Sequence, residues 1–280
     1  MGSPDLAIRR MTEADLALAL DWAEAEGWNP GLNDAECFYA ADPDGFFVGE
    51  AGGEPVGSIS AVRYDERFSF LGLFIVKPDF RGRGFGLQLW RAAMRHLGER
   101  NVGLDGVVAQ QGNYKKSGFK LAFRNIRFKG EGGGVDLGGA TDLSSARFED
   151  VLQYDAAVFP ARRAAFLQRW IEQPHAASLG VMVQRRLRGY GVLRPCRSGC
   201  KIGPLFADDA QVAERLFLAL KARAAGGPIF LDVPEVNPDA VALAERYRMT
   251  PVFETARMYT KDAPCAPMER CFGVATFELG

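Results

Sequence analysis

The segment best suited to chemistry is Val76-Lys77-Pro78-Asp79-Phe80-Arg81-Gly82-Arg83-Gly84-Phe85-Gly86. An apolar run ends at Val76, an amphipathic stretch begins near Gly84, and between them lie glycines and two arginines. The first N–H groups of a helix have no partner within it, and the helix dipole places partial positive charge there. A pyrophosphate can accept those N–H bonds. Glycines let the backbone approach closely and take positive φ, and Arg81 and Arg83 add fork-shaped cationic donors. The segment therefore reads as a phosphate cradle formed by Arg81, Gly82, Arg83, Gly84, Phe85 and Gly86. The bland alternative is a glycine-rich strand-to-helix turn with solvated arginines. Two other phosphate loops fail: Gly86 is followed by Leu87-Gln88 and not by Lys-Ser/Thr, and a dinucleotide fingerprint would open an early parallel βαβ unit.

The elements that must position this loop alternate between helix and strand. Residues 12–25 read as a helix with Thr12 as N-cap, and residues 34–40 as a second, short one. Strands follow at 46–48, 55–64 and 68–76, linked as hairpins and hence antiparallel. A helix over about 84–100 places Leu87, Trp90, Met94 and Leu97 on one face. A strand at 104–109, a short helix around Tyr114 and a closing strand at 119–128 complete the unit. Gly130-Glu131-Gly132-Gly133-Gly134 opens a linker over 131–140.

At this point the first half resembles the GNAT acetyltransferase superfamily. Arg81-x-x-Gly84-x-Gly86 after an apolar strand is similar to that family's acetyl-coenzyme A motif, and Tyr114-Lys115-Lys116-Ser117-Gly118-Phe119 to its later Tyr-x-x-x-Gly-Phe segment. The resemblance implies an acetyl-CoA-dependent N-acetyltransferase. It implies a strand near Phe74, Ile75 and Val76 that splays from its neighbour, with an amide near Phe74 or Ile75 polarising the thioester carbonyl. Tyr114 would be the general acid for the leaving thiolate; a merely packed tyrosine is the alternative. Asn113 would orient coenzyme A or form a turn, and Val107 stands where relatives carry an Asn. The strand before the loop has no carboxylate, so Asp105 or Glu66 is left as base. Trp28, Asn29 and Tyr64 are the acceptor-side candidates. A non-catalytic acyl-CoA-binding sensor or scaffold is the alternative function.

The second half repeats the order of elements, with helices at 147–158, 161–172, 208–223 and 238–247 and strands at 178–184, 187–196, 200–206, 229–233 and 251–260. Leu104-Asp105-Gly106-Val107 echoes Leu231-Asp232-Val233, and Ile126-Arg127-Phe128 loosely echoes Arg257-Met258-Tyr259. The resemblance extends to a degenerate GNAT-related domain, because Leu205-Phe206-Ala207-Asp208-Asp209 replaces the phosphate loop with carboxylates that repel phosphate. The fold class expected is α/β (α+β): two tandem GNAT-like units, 1–130 with acetyl-CoA and 141–280 without its own CoA site, each a mixed, mostly antiparallel sheet flanked by helices.

The totals agree with a two-unit globular chain. It has 280 residues, 48% hydrophobic and 25% charged, with net charge −1, which gives no general attraction to nucleic acid or to an anionic membrane. No apolar stretch approaches the ~18 residues of a span, and the first five residues lack signal-peptide regions. Five cysteines at irregular spacing fit a reduced, cytoplasmic chain. His96, among Arg95, Glu99 and Arg100, reads as a solvated face. Neither it nor His175 has ligand spacing, so no metal is expected. The partner is a small-molecule or peptide amine, and oligomeric state is not encoded legibly.

Overall fold

A computed structural model describes residues 6–224 and 226–280; the signal-peptide reading concerns residues 1–5 and lies outside them. The first half runs β1 (Leu6–Arg10), α1 (Glu13–Ala25), α2 (Asp34–Ala41), β2 (Phe46–Ala51), β3 (Glu54–Arg63), β4 (Phe68–Val76), α3 (Phe85–Leu97), β5 (Asn101–Val107), α4 (Gln111–Lys116) and β6 (Lys120–Glu131). The second runs β7 (Thr141–Asp142), α5 (Phe148–Ala156), α6 (Ala164–Ile171), β8 (Ala177–Val183), β9 (Arg186–Pro195), β10 (Cys200–Ala207), α7 (Ala210–Arg223), β11 (Pro228–Pro234), α8 (Pro238–Arg246), β12 (Thr250–Tyr259) and β13 (Cys271–Gly273).

Local chemistry sets the element ends. Thr12 caps α1 in a reciprocal box: its hydroxyl accepts the Asp15 amide (3.2 Å) and the Asp15 carboxylate accepts the Thr12 amide (2.8 Å). The buried face of α3 is Phe85, Leu89, Ala93 and Leu97, with Trp90 and Met94 at its flank. Leu87, expected on that face, is 53% exposed; a strict four-residue step from Phe85 leaves it on the outer side. His96 also departs from its expected solvated position. It packs edge-on against Phe47 near Asp42, and burial first, then Arg63, lowers its pKa.

The largest departure is in the sheet. All strands join one sheet with the path β1-β2-β3-β4-β5-β12-β6-β11-β10-β9-β8-β7. Strand β6 was expected to complete the first half. Instead β12 lies against β5, from Gly103–Tyr259 to Val107–Thr255, and β6 lies against β11, from Asn125–Pro234 to Glu131–Pro228. The halves exchange their last long strands. The glycine-rich stretch begins inside β6, and its next residues are held: Gly132 donates to the Gly227 carbonyl and Gly133 to that of Lys221. The core is shared too. α2 packs on α6, with Phe38 stacked on Trp170.

The exchange is locked by two buried ion pairs of the same design. Arg127 on β6 binds Asp232 on β11 (2.6 and 2.8 Å), and Arg257 on β12 binds Asp105 on β5 (2.8 and 2.7 Å). Arg127 therefore corresponds to Arg257, one position away from the pairing read in sequence.

Candidate active site

The phosphate end of the site is the start of α3. Its N-cap is Gly84, at φ 81° with no side-chain cap, and Gly82 precedes it at φ 76°. Open space lies where a Cβ at either glycine would stand. The first amides of α3 thus have no side-chain cap among the described residues. The matching helix of the second half is closed off: the Asp209 carboxylate accepts the amides of Gln211 (3.0 Å) and Val212 (2.9 Å). A carboxylate already occupies the anion position at the start of α7.

From α3 the site continues along a gap between β4 and β5. These strands pair in parallel from Phe68–Asn101 to Leu71–Leu104 and then separate. The cause is a bulge, in which Leu73 and Phe74 oppose Ile59 alone, between the Ser60–Gly72 and Ser58–Ile75 pairs. Leu73 takes φ 43°, a left-handed position costly for a γ-branched residue, and its carbonyl is held by the Ser58 hydroxyl (2.7 Å).

The alternation of the ladder fixes which amides face the gap. Lys77 N–H bonds the Val56 carbonyl, so Ile75, two residues back and opposite Ser58, is turned toward β3. Val76 is turned the other way, and its carbonyl accepts Arg81 Nε (2.8 Å). Beyond the bulge the Ile75 amide is thus turned toward β3 and the Val76 amide toward the gap, while Phe74 stands in the bulge itself.

In the second half the equivalent gap is filled. β10 and β11 pair only from Cys200–Ile229 to Ile202–Leu231. Beyond that β13 pairs with β10, and the Val274 carbonyl lies 2.6 Å from where a Gly203 Cβ would stand.

The open gap is a cavity of about 570 Å3. Its wall brings together much of the expected set: Phe74, Ile75, Val76, Arg81, Gly82, Gly84, Phe85, Gly86, Asp105, Tyr114 and Trp28. Tyr114 is 8% exposed, stacked on Trp90 at 5.7 Å, with its ring on Gly106, where a Cβ would lie 2.5 Å away. Its hydroxyl has no hydrogen bond among the described residues, and burial pushes the phenol up to about 12. Arg81 forms an ion pair with Glu26 at the end of α1.

Other expected residues are placed elsewhere. Glu66 is exposed on the β3–β4 turn, outside the cavity wall. Asn29 is spent on a turn contact, accepting from Ser198 N–H (2.9 Å) and donating to its carbonyl (3.0 Å). Tyr64 donates to the Leu279 carbonyl (2.7 Å) and packs on Phe159. Asn113 is exposed and bonds Gln110. Arg83 lies over the Phe80 ring and donates to the Asp79 carbonyl. Asp105 reaches the wall, but Arg257 takes both its oxygens and Asn125 (2.8 Å) shares one. Its counterpart Asp232 makes the same bond in the half whose gap is closed, so the arrangement is architectural.

The far end of the cavity was not foreseen. Phe253, Thr255, Phe277 and Glu278 line it, all from the second half. The only signals were the repeated Asp and Arg positions, which mark the exchange, and a single carboxylate in the apolar tail from Cys271 to Leu279. Among the described residues no group of three or more His, Cys, Asp or Glu is placed to hold a metal ion, and no helix is long and apolar enough to cross a membrane.

Comparison with known proteins gives a consistent result. Residues 14–119 match the acetyltransferase (GNAT) family and residues 151–273 an acetyltransferase (GNAT) domain. The holothin acyltransferase of Pseudoalteromonas sp. (strain SANK 73390) is 31% identical over 263 residues, 93% of this chain and 90% of that one. Among solved structures, a Pyrococcus horikoshii protein classed with the acetyltransferases superposes with TM-score 0.83 at 24% identity, over 98% of this chain and 96% of that one. A tandem GNAT protein from the clavulanic acid biosynthesis pathway gives TM-score 0.62 at 13% identity, over 92% and 100%.

Proposed function

The chain belongs to the GNAT acetyltransferase family in its tandem form and is an acyltransferase; from that premise we propose that it transfers acetyl from acetyl-CoA directly to an amine. The observation that carries this reading is the continuity of one cavity from the uncapped start of α3, past the Val76 amide, to Tyr114. The diphosphate accepts the first α3 amides beside Gly82 and Gly84, with Arg81 as cationic neighbour. The pantetheine arm lies along β4 where β5 has left it. The bulge at Leu73 puts the thioester where an outward amide can polarise its carbonyl.

An acceptor amine attacks that carbonyl, the C–N bond forms, and collapse breaks the C–S bond. Tyr114 gives its proton to the departing sulfur and regains one from the nitrogen. A phenol held near 12 stays protonated at neutral pH, as an acid must. The second half supplies wall and not a second donor site, since Asp209 caps α7 and β13 fills its gap. Titration calorimetry with acetyl-CoA should show one site per chain, and a thiol-release assay should show turnover with amines. Absence of binding sinks the proposal; tight binding that never leads to release favours a sensor.

A further inference from the structure

Resting on that reading, we infer that Glu278 is the base for the acceptor, and that the acceptor is a primary amine carried on a flat, apolar ring. Three carboxylates line the cavity. Glu26 is paired with Arg81 and Asp105 with Arg257. Glu278 has no basic partner among the described residues. It is only 4% exposed; Oε2 accepts from Thr276, and Oε1 has no partner among the described residues. Its position is set by backbone contact with the catalytic strand: a Cβ on Gly72 would lie 2.1 Å from the Glu278 carbonyl oxygen. Gly72 directly precedes the Leu73 bulge, so this backbone contact anchors the Glu278 segment to that strand, and Glu278 shares the cavity wall with Leu73 and Phe74.

Of the three cations in this buried group, Arg127, Arg194 and Lys201, the two arginines are paired and Lys201 has no carboxylate partner among the described residues. Arg127 on β6 and Arg194 on β9 both feel its field, but each is committed, to Asp232 and to Asp34. Lys201 on β10 belongs to the same buried group, donates to the Asn29 carbonyl (3.1 Å) and is pulled down first by burial, then by Arg127. An ammonium entering the cavity therefore meets one free carboxylate. The rest of that end is aromatic. Phe253 and Phe277 lie 6.3 Å apart, stiffened by the Arg127 guanidinium at 5.7 and 4.8 Å from their centroids, and Trp28 is fixed through its carbonyl by the same arginine (2.7 Å). Thr255 Oγ1 is buried without a partner. Flat rings with few polar groups select a flat apolar body.

In the step proposed, Glu278 takes one proton from the bound ammonium. The freed lone pair attacks the thioester as described above, and the carboxyl returns its proton to solvent after product leaves.

The test uses the whole protein with acetyl-CoA, benzylamine and tryptamine as ring-bearing ammonium probes, aniline as a ring amine already neutral at pH 7, and putrescine as a chain amine. Wild type should acetylate the ring amines and discriminate against putrescine. Glu278→Gln should lower kcat/KM for benzylamine and tryptamine about 100-fold at pH 7, and for aniline less than about threefold, because that amine needs no deprotonation. The loss should recede as pH rises toward the amine's own pKa, and acetyl-CoA affinity should not change. If Glu278→Gln melts early, Phe277→Leu carries the test, raising KM for ring amines alone. Equal losses on aniline and benzylamine, no loss on either, or a wild type that binds acetyl-CoA yet acetylates none of the ring amines would overturn the inference. A wild type that binds no acetyl-CoA defeats the proposed function instead.

Discussion

Tyr114 and Asp105 both stand at the cavity wall, and their surroundings assign them different work. Tyr114 has a free hydroxyl in an apolar setting of Trp90 and Phe119. Tyr114→Phe should keep acetyl-CoA affinity and reduce kcat at least about tenfold, toward the ~10²–10⁴ range of general acid catalysis. With the phenol at about 12, any loss of activity between pH 8 and about 10 should persist in the Phe variant, since it belongs to another group. An unchanged kcat would return Tyr114 to packing. Asp105 is held on both oxygens, so Arg257→Met should act on folding, costing about 3–5 kcal/mol by leaving a buried carboxylate alone, as read from urea midpoints. At this scale the sequence was informative where chemistry is local. The glycines and Arg81 stood out through their spacing between strand and helix, and Tyr114 through the family resemblance. Glu278 did not, because its role depends on Gly72, which is far away in the chain.

At the scale of elements, the start of α3 and the β6–β11 pair make separable claims. Gly84 sits at φ 81° with space around it, so Gly84→Ala fails through backbone strain of ~1–2 kcal/mol and not through collision. Acetyl-CoA Kd should rise about tenfold, since each ~1.4 kcal/mol is a factor of ten. A Cβ at Gly86 would stand 3.4 Å from the Phe74 ring, an ordinary contact, so Gly86→Ala should leave Kd within about threefold. Calorimetry on the two variants checks the contrast.

The exchanged strand carries a pH signature. Burial works against the Asp232 charge, but Arg127 outweighs it, so the carboxyl titrates below its ordinary value. A depressed carboxyl adds stability that is present above its unfolded value of ~3.9 and lost as pH falls further. The stability gap between wild type and Asp232→Asn should therefore be widest near neutrality and narrow below about pH 4. Hydrophobic period disclosed these strands, since β6 and β12 alternate legibly. It could not say which neighbour each would take, because alternation reports which face of a strand is buried and not which strand lies along its edge.

The whole molecule depends on that choice of neighbour. With β12 removed, β5 presents a bare edge, and β6 has no first-half strand to lie against. The core crosses as well, through Phe38 on Trp170 and the Asp34–Arg194 pair. The break near residue 131 that composition suggests thus separates two sequence repeats that share one sheet and one core. Residues 1–131 expressed alone should be insoluble or lack a cooperative melt. The same segment co-expressed with residues 132–280 should form a one-to-one complex that binds acetyl-CoA, because each piece returns the strand the other lacks. The intact chain should unfold in one transition by circular dichroism and by tryptophan fluorescence, which report on the sheet and on both halves. A soluble first half that binds acetyl-CoA by itself would show that β6 can fold back on β5, and that the acceptor end built from Phe253, Thr255, Phe277 and Glu278 is an addition to a self-sufficient donor site.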